Sequence, residues 1–223
     1  MNSSWVREAS AVLRKEIASE LRGKHGLVTS LLFAVMTVSA LGIAAAKSPP
    51  TPTLAAGMLW VALLFAAVVG VARTFLIEEE QGTGDLLRLW ANPSPVFWGK
   101  TFYNLALIAL VAIVVMPLFA LFVGVQVVDF GMLFAGLGAG CAALGVAIGF
   151  CGSLVSRSKS QAALAGVISI PVLLPVVLLG VGALRVAFGD PSSLGWTSIL
   201  GLAGLATAFA AAGPHLYAAV WKQ

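Results

Sequence analysis

Six long apolar runs constrain this chain more than anything else in its 223 residues. They cover about residues 27–46, 54–76, 101–124, 130–155, 162–188 and 196–220 and consist mainly of Leu, Val, Ala, Ile, Phe and Gly. Each reaches the roughly twenty residues a helix needs to cross hydrocarbon. In lipid every backbone N–H and C=O must find an internal partner, which leaves helices or a closed barrel. None of the runs alternates apolar with polar residues, so the barrel is excluded. Charged residues make up only 10% of the chain, against about a quarter in a soluble domain. The expected fold class is an all-α integral membrane protein with six transmembrane helices.

The charges cluster outside these runs. Arg7, Arg14, Lys15, Arg22, Lys24, Arg73, Arg88, Lys100, Arg157, Lys159 and Lys222 fall on one side of a six-span topology, and only Lys47 and Arg185 on the other. Positive charge marks the cytoplasm, so both termini are expected there. The net charge of +4 is spent on topology and gives no reason to expect nucleic acid as a partner. The stretch 1–26 is polar but patterned. Trp5, Val6, Ala9, Val12, Leu13, Ile17 and Leu21 share one arc at about 100° per residue, with Arg7, Arg14, Lys15 and Arg22 opposite. This predicts an amphipathic helix in the membrane interface, its basic side towards anionic headgroups. Glu16 and Glu20 interrupt the apolar arc, either paired locally or in contact with a partner protein.

Ala44-Ala45-Ala46 imitates a signal-peptidase site, but the first apolar run exceeds the about 7–15 residues of a signal peptide and is expected to be retained. Pro49, Pro50 and Pro52 stiffen the turn at 47–53. Pro117, Pro171 and Pro175 lie inside spans, as packing or hinge positions. The fourth span is dense in glycine (Gly131, Gly136, Gly138, Gly140, Gly145, Gly149, Gly152), which marks a close-packing face. Cys141 and Cys151 do not share a helix face and read as small packing residues, with no metal site expected.

Several function classes are excluded. No internal repeat is present, and no carboxylate lies in mid-membrane to couple protons or sodium. No phosphate-binding loop and no stretch large enough to hold a nucleotide is found. Any energy must come from a partner, and the chain is expected to be non-catalytic. The place for that energy to enter is the polar loop 78–100. Glu78, Glu79 and Glu80 extend the second span, and Gly82 and Gly84, on either side of Thr83, permit a sharp turn. Asp85 can cap a short helix whose Leu86, Leu87, Leu89 and Trp90 are too apolar for water. Asn92-Pro93-Ser94-Pro95 then stops it. Such a cytoplasmic helix either docks into a groove on another protein or lies on lipid. Residues 27–223 would form one six-span domain that includes this loop.

The Glu-rich end of span two, Gly82-Thr83, the Leu pair, the prolines and Gly99-Lys100 resemble the coupling-helix loop of ABC-2-type exporter permeases. Within them the chain is most similar to the CcmB family of haem-exporter permeases. The similarity is carried by Lys15-Glu16 with Glu20-Leu21-Arg22, Gly57-Met58-Leu59-Trp60-Val61-Ala62, Glu80-Gln81-Gly82-Thr83, Phe97-Trp98-Gly99-Lys100 with Asn104, and Pro171-Val172-Leu173-Leu174-Pro175. Ala56 departs from the family's proline before Gly57. The resemblance implies a permease subunit of a bacterial inner-membrane ABC complex in cytochrome c maturation. Partners would be a CcmA-like ATPase, a second copy of the chain, CcmC-like and CcmD-like membrane subunits and, indirectly, a periplasmic haem chaperone. ATP and Mg would sit on the ATPase, haem would be handled by the complex, and no cofactor is expected on this chain. His25 and His215, at cytoplasmic span ends, then read as haem ligands or as interfacial hydrogen-bonding groups. A generic ABC-2 exporter of a drug, lipid or polysaccharide and a membrane scaffold without ATP coupling are the rival readings.

Overall fold

Each apolar run becomes one helix, and their ends follow from local chemistry. The structure, a computed structural model, describes residues 3–23, 25–71, 74, 82, 87, 89–155, 161–191 and 194–221. Among the described residues there are seven helices and no strand: α1 Ser3–Gly23, α2 His25–Ala45, α3 Pro52–Val71, α4 Pro93–Val123, α5 Phe130–Val155, α6 Gln161–Ala187 and α7 Gly195–Trp221. Six of them, α2 to α7, are long and apolar enough to cross a membrane, so the chain is an all-α multi-pass membrane protein.

Two of the proline clusters start helices. Pro52 opens α3, and Pro93 opens α4 after an extended Asn92 (φ −83°, ψ 147°). A proline in the first turn gives up an N–H that has no helical partner anyway, and its fixed φ already suits the helix. The Asn92–Pro95 segment, expected to end one helix inside a loop running to Lys100, is therefore the beginning of the next. As a result α4 has 31 residues, a length of about 46 Å. That exceeds the roughly 30 Å of the hydrocarbon core, so α4 is long enough to extend past the lipid. Its other end closes on Gly124, whose left-handed backbone (φ 74°) lets its N–H bond the Ala120 carbonyl.

The helices pack as two layered groups. α2 lies against α3 and α4, and α5 lies against α6 and α7; α3 meets α6, and α4 meets both α5 and α7. At the centre sits Trp60 of α3, fully buried. Gly140 of α5 and Gly180 of α6 face its indole so closely that a Cβ on either would overlap the ring. Lipid tails are as apolar as leucine, so helices in a bilayer associate by close fit, and here the fit is two glycines around one tryptophan. Gly136 lies against Ala183 and Leu184, and Gly145 against Leu105, but Gly138 faces open space. The glycine face expected of α5 is thus used in part. Cys141 and Cys151 are buried free thiols in the same helix.

Pro117, Pro171 and Pro175 lie inside continuous helices on exposed positions. Each removes a backbone bond without packing into the core. Pro214 in α7 is a further interior proline. Beside Pro117 a cleft of about 760 Å³ opens between α4 and α5, lined by apolar residues such as Ile113, Leu133, Phe134 and Leu137.

Candidate functional site

The amphipathic helix does not spend its whole apolar arc on lipid. α1 packs against the start of α4, with Ala9 and Val12 buried while Val6, Ile17 and Leu21 stay exposed. One edge of the arc therefore binds protein, and the other faces outward beside the basic residues. Gly99 makes the contact possible, because a Cβ there would lie 2.7 Å from the Val12 Cβ and 2.8 Å from the Ala9 carbonyl oxygen. At the N-terminal end of α1, Trp5 Nε1 donates to Ser94 Oγ (3.3 Å) and Asn92 Nδ2 donates to Glu8 Oε2 (3.1 Å).

Further along, the interface turns ionic. Glu16 is only 6% exposed and Lys100 not at all. The Lys100 ammonium lies 3.5 Å from Glu16 Oε1 and donates to the Thr74 carbonyl at 2.6 Å. Lys15, half-exposed, reaches the same Glu16 oxygen at 3.0 Å. One turn on, Glu20 accepts from the backbone N–H of Gly26 and Leu27 (3.3 and 2.7 Å) and from the Tyr103 hydroxyl (3.0 Å). The two α2 N–H groups are among the orphan donors of a helix start, so Glu20 caps α2 while tying it to α4. Taking an ammonium and a carboxylate out of water is costly unless both are paired, and here they are. Glu16 pairs locally with Lys15, as one reading of the sequence expected, but both glutamates also hold α1 to α4.

Around this ionic seam sits a small apolar cluster separate from the main core: Val12, Val96, Phe97 and Tyr217, with Leu87, Ala91, Trp98 and Trp221 against it. Phe97 and Tyr217 rings are 6.1 Å apart, Tyr217 and Trp221 5.2 Å. The cluster brings together α1, the start of α4, the end of α7 and the last part of the polar loop.

In that loop, Leu87, Leu89 and Trp90 are helical, and the Ala91 N–H bonds the Leu87 carbonyl at 3.0 Å. Leu87 turns inward to the cluster, whereas Leu89 is 79% and Trp90 86% exposed. Gly82 has a positive φ of 68°, as its place in a sharp turn expected. Glu78, Glu79, Glu80, Thr83, Asp85 and Leu86 lie outside the described residues. This helical turn is anchored by one leucine and presents a leucine and a tryptophan outward. His215 is exposed on α7, and no group of three or more metal-binding side chains occurs among the described residues.

Sequence reasoning did not find the Glu16–Lys100 and Glu20–Tyr103 pairs. In the sequence, Lys100 reads as a topology charge at the edge of a span. Beginning α4 at Pro93 would have placed Lys100 two turns inside a helix, where a lysine needs a partner.

The family model described as "CcmB protein" matches residues 7–221. Two relatives carry the name heme exporter protein B. The Bradyrhizobium diazoefficiens protein is 26% identical over 189 residues, 83% of this chain and 85% of the relative. The Pseudomonas aeruginosa protein is 28% identical over 209 residues, 91% of this chain and 94% of the relative.

Proposed function

The chain belongs to the CcmB family, and from that premise we propose that it is the non-catalytic permease subunit of an ATP-driven haem-export complex. The relatives' name supports haem as the cargo. ATP, with Mg, is then hydrolysed on a separate ATPase subunit. The work done is haem export, or release of a haem-loaded periplasmic chaperone for cytochrome c assembly. The complex sits in the bacterial inner membrane with both termini of this chain cytoplasmic, and holds two copies of it together with CcmC-like and CcmD-like membrane subunits.

The observation that carries the coupling role is the exposed pair Leu89 and Trp90 on a helical turn held down by Leu87. Fully burying a large apolar side chain is worth about 1.5–3 kcal/mol. An adjacent leucine and tryptophan left uncovered suit an interaction surface that a partner would cover. Motion received at the turn has a stiff path inward: the loop meets α4 at Asn92, and α1 braces both through Glu8, Trp5 and Glu16.

The test is co-purification of the complex from native membranes, with subunit identification and a haem absorbance scan. Wild type should bring down an ATPase subunit, and a strain lacking this chain should lose its c-type cytochromes. Trp90→Asp combined with Leu89→Asp should weaken ATPase retention about 30-fold or more, the effect of losing an interface hot spot. Unchanged retention would refute docking at this turn. Normal c-type cytochromes in the deletion strain would refute the haem pathway and leave another exported cargo.

A further inference from the structure

The acids of α1, Glu8, Glu16 and Glu20, are all taken up by this chain's own groups. Glu8 Oε2 accepts from Asn92 Nδ2, Glu16 pairs with Lys15 and Lys100, and Glu20 accepts from the Gly26 and Leu27 N–H groups and the Tyr103 hydroxyl. The outward edge of the helix is left without an acid. At about 100° per residue, the exposed Val6, Ile17 and Leu21 run directly into the exposed Arg7 and Arg14, and Arg22 lies beyond them. Such an edge suits neither water nor hydrocarbon. It suits the boundary between them, where apolar side chains enter the acyl region and guanidinium groups meet phosphate.

The depth of α1 fits that boundary. In α4 the charged and polar side chains fall between Ser94 and Asn104, and residues 105–123 are wholly apolar. That apolar part is about 28 Å long, close to the roughly 30 Å of hydrocarbon. The part of α4 left over is the part that α1 packs against, through Ser94, Gly99, Lys100 and Tyr103. Trp98, Tyr217 and Trp221 gather at the same end, and Trp and Tyr are the side chains enriched where membrane meets water. α2 begins at His25, so Leu21 and Arg22 stand at the start of a span.

We propose that the outward edge of α1 binds an anionic phospholipid surface, with Val6, Ile17 and Leu21 at the acyl boundary and Arg14 and Arg22 on the phosphates. Only this edge, and not the whole apolar arc, faces lipid. The seam with α4 takes the other half and, with it, every acid that would repel an anionic headgroup. An anionic surface attracts nearby arginines over about one Debye length. Lipid bound to α1 in its seated position therefore stabilises the seam by linkage. Neither the haem cargo nor coupling to an ATPase enters this proposal.

Its test is backbone hydrogen exchange of the purified full chain in bilayer nanodiscs, with α5 as internal reference. One set is made of phosphatidylcholine alone, the other of equimolar phosphatidylcholine and phosphatidylglycerol. Exchange across residues 6–21 should be about tenfold slower in the anionic bilayer, and about 1 M salt should abolish the difference. Arg14→Gln with Arg22→Gln should leave exchange in phosphatidylcholine unchanged and remove most of the slowing by phosphatidylglycerol. Arg14→Lys with Arg22→Lys keeps the charge and should keep the slowing. Equal exchange of α1 in the two bilayers overturns the proposal and gives the edge to a protein partner. A double Gln variant that exchanges faster in both bilayers, with the slowing intact, also overturns it, because the arginines then serve the chain's own fold.

Discussion

Two closely packed regions of the molecule are built on opposite principles. At the centre of the bundle, Trp60 is held between Gly140 and Gly180 by shape alone. Where α1 meets α4, Glu16, Lys100, Glu20 and Tyr103 are held by charge and hydrogen bonds. Lipid explains the difference. The fit around Trp60 buries one polar group, an indole N–H without a hydrogen-bond partner, whereas an ion pair must recover the loss of both hydration shells. At the edge of the bundle, Glu16, Lys100, Glu20 and Tyr103 are held because each finds partners.

The largest effect should come from disturbing shape at the centre. Trp60→Ala would leave a cavity lined by Gly140 and Gly180, at a cost of about 3–5 kcal/mol. Gly140→Leu would force a side chain into the indole and should prevent recovery of a monodisperse protein. The comparison predicts that Trp60→Ala with Gly140→Leu recovers part of the loss, because volume is what the site measures. Thermal unfolding in detergent would show it. A double variant no better than the worse single one would break the shape account.

Charge should behave differently at the edge. Glu16→Gln leaves the buried Lys100 ammonium short of a carboxylate and should cost about 3 kcal/mol, as when one partner of a buried pair is removed. Glu16→Gln with Lys100→Met should return most of that stability, since an apolar replacement of a buried pair is often neutral. Here a double variant that loses as much as both singles added together would mean that geometry, not charge, governs the seam. Next in size is Tyr103→Phe. It removes one donor from Glu20, which keeps the Gly26 and Leu27 N–H groups, so about 1–2 kcal/mol is expected.

The two regions also differ in how far the sequence discloses them. Six spans, and the glycine face of α5 with Gly140 in it, follow from composition and spacing, because lipid solvation acts on each residue separately. The register Trp60–Gly140–Gly180 does not, since it depends on which helices become neighbours. At the edge, Asn92–Pro95 does end the short helical turn, as expected, but it also opens α4; reading only the stop leaves Lys100 in a loop and Glu16 without a long-range partner. The resemblance was carried partly by Gly99-Lys100 and Asn104. Gly99 is where α1 makes its closest approach, and Lys100 is the buried ion.

The smallest effect on stability belongs to the outward side of the helical turn before α4. Leu89 and Trp90 are mostly exposed, so Leu89→Asp with Trp90→Asp should change the melting temperature of the isolated chain hardly at all, within about 0.5 kcal/mol. Leu87→Asp, by contrast, places a charge beside Val12, Phe97 and Tyr217 and should lower it by about 2 kcal/mol or more. The contrast within one helical turn separates two uses of apolar residues: Leu87 holds the turn to its own chain, while Leu89 and Trp90 face outward. Equal destabilisation by the two sets would mean that the outward pair packs on this chain in solution, and the docking surface would have to be sought elsewhere along the edge.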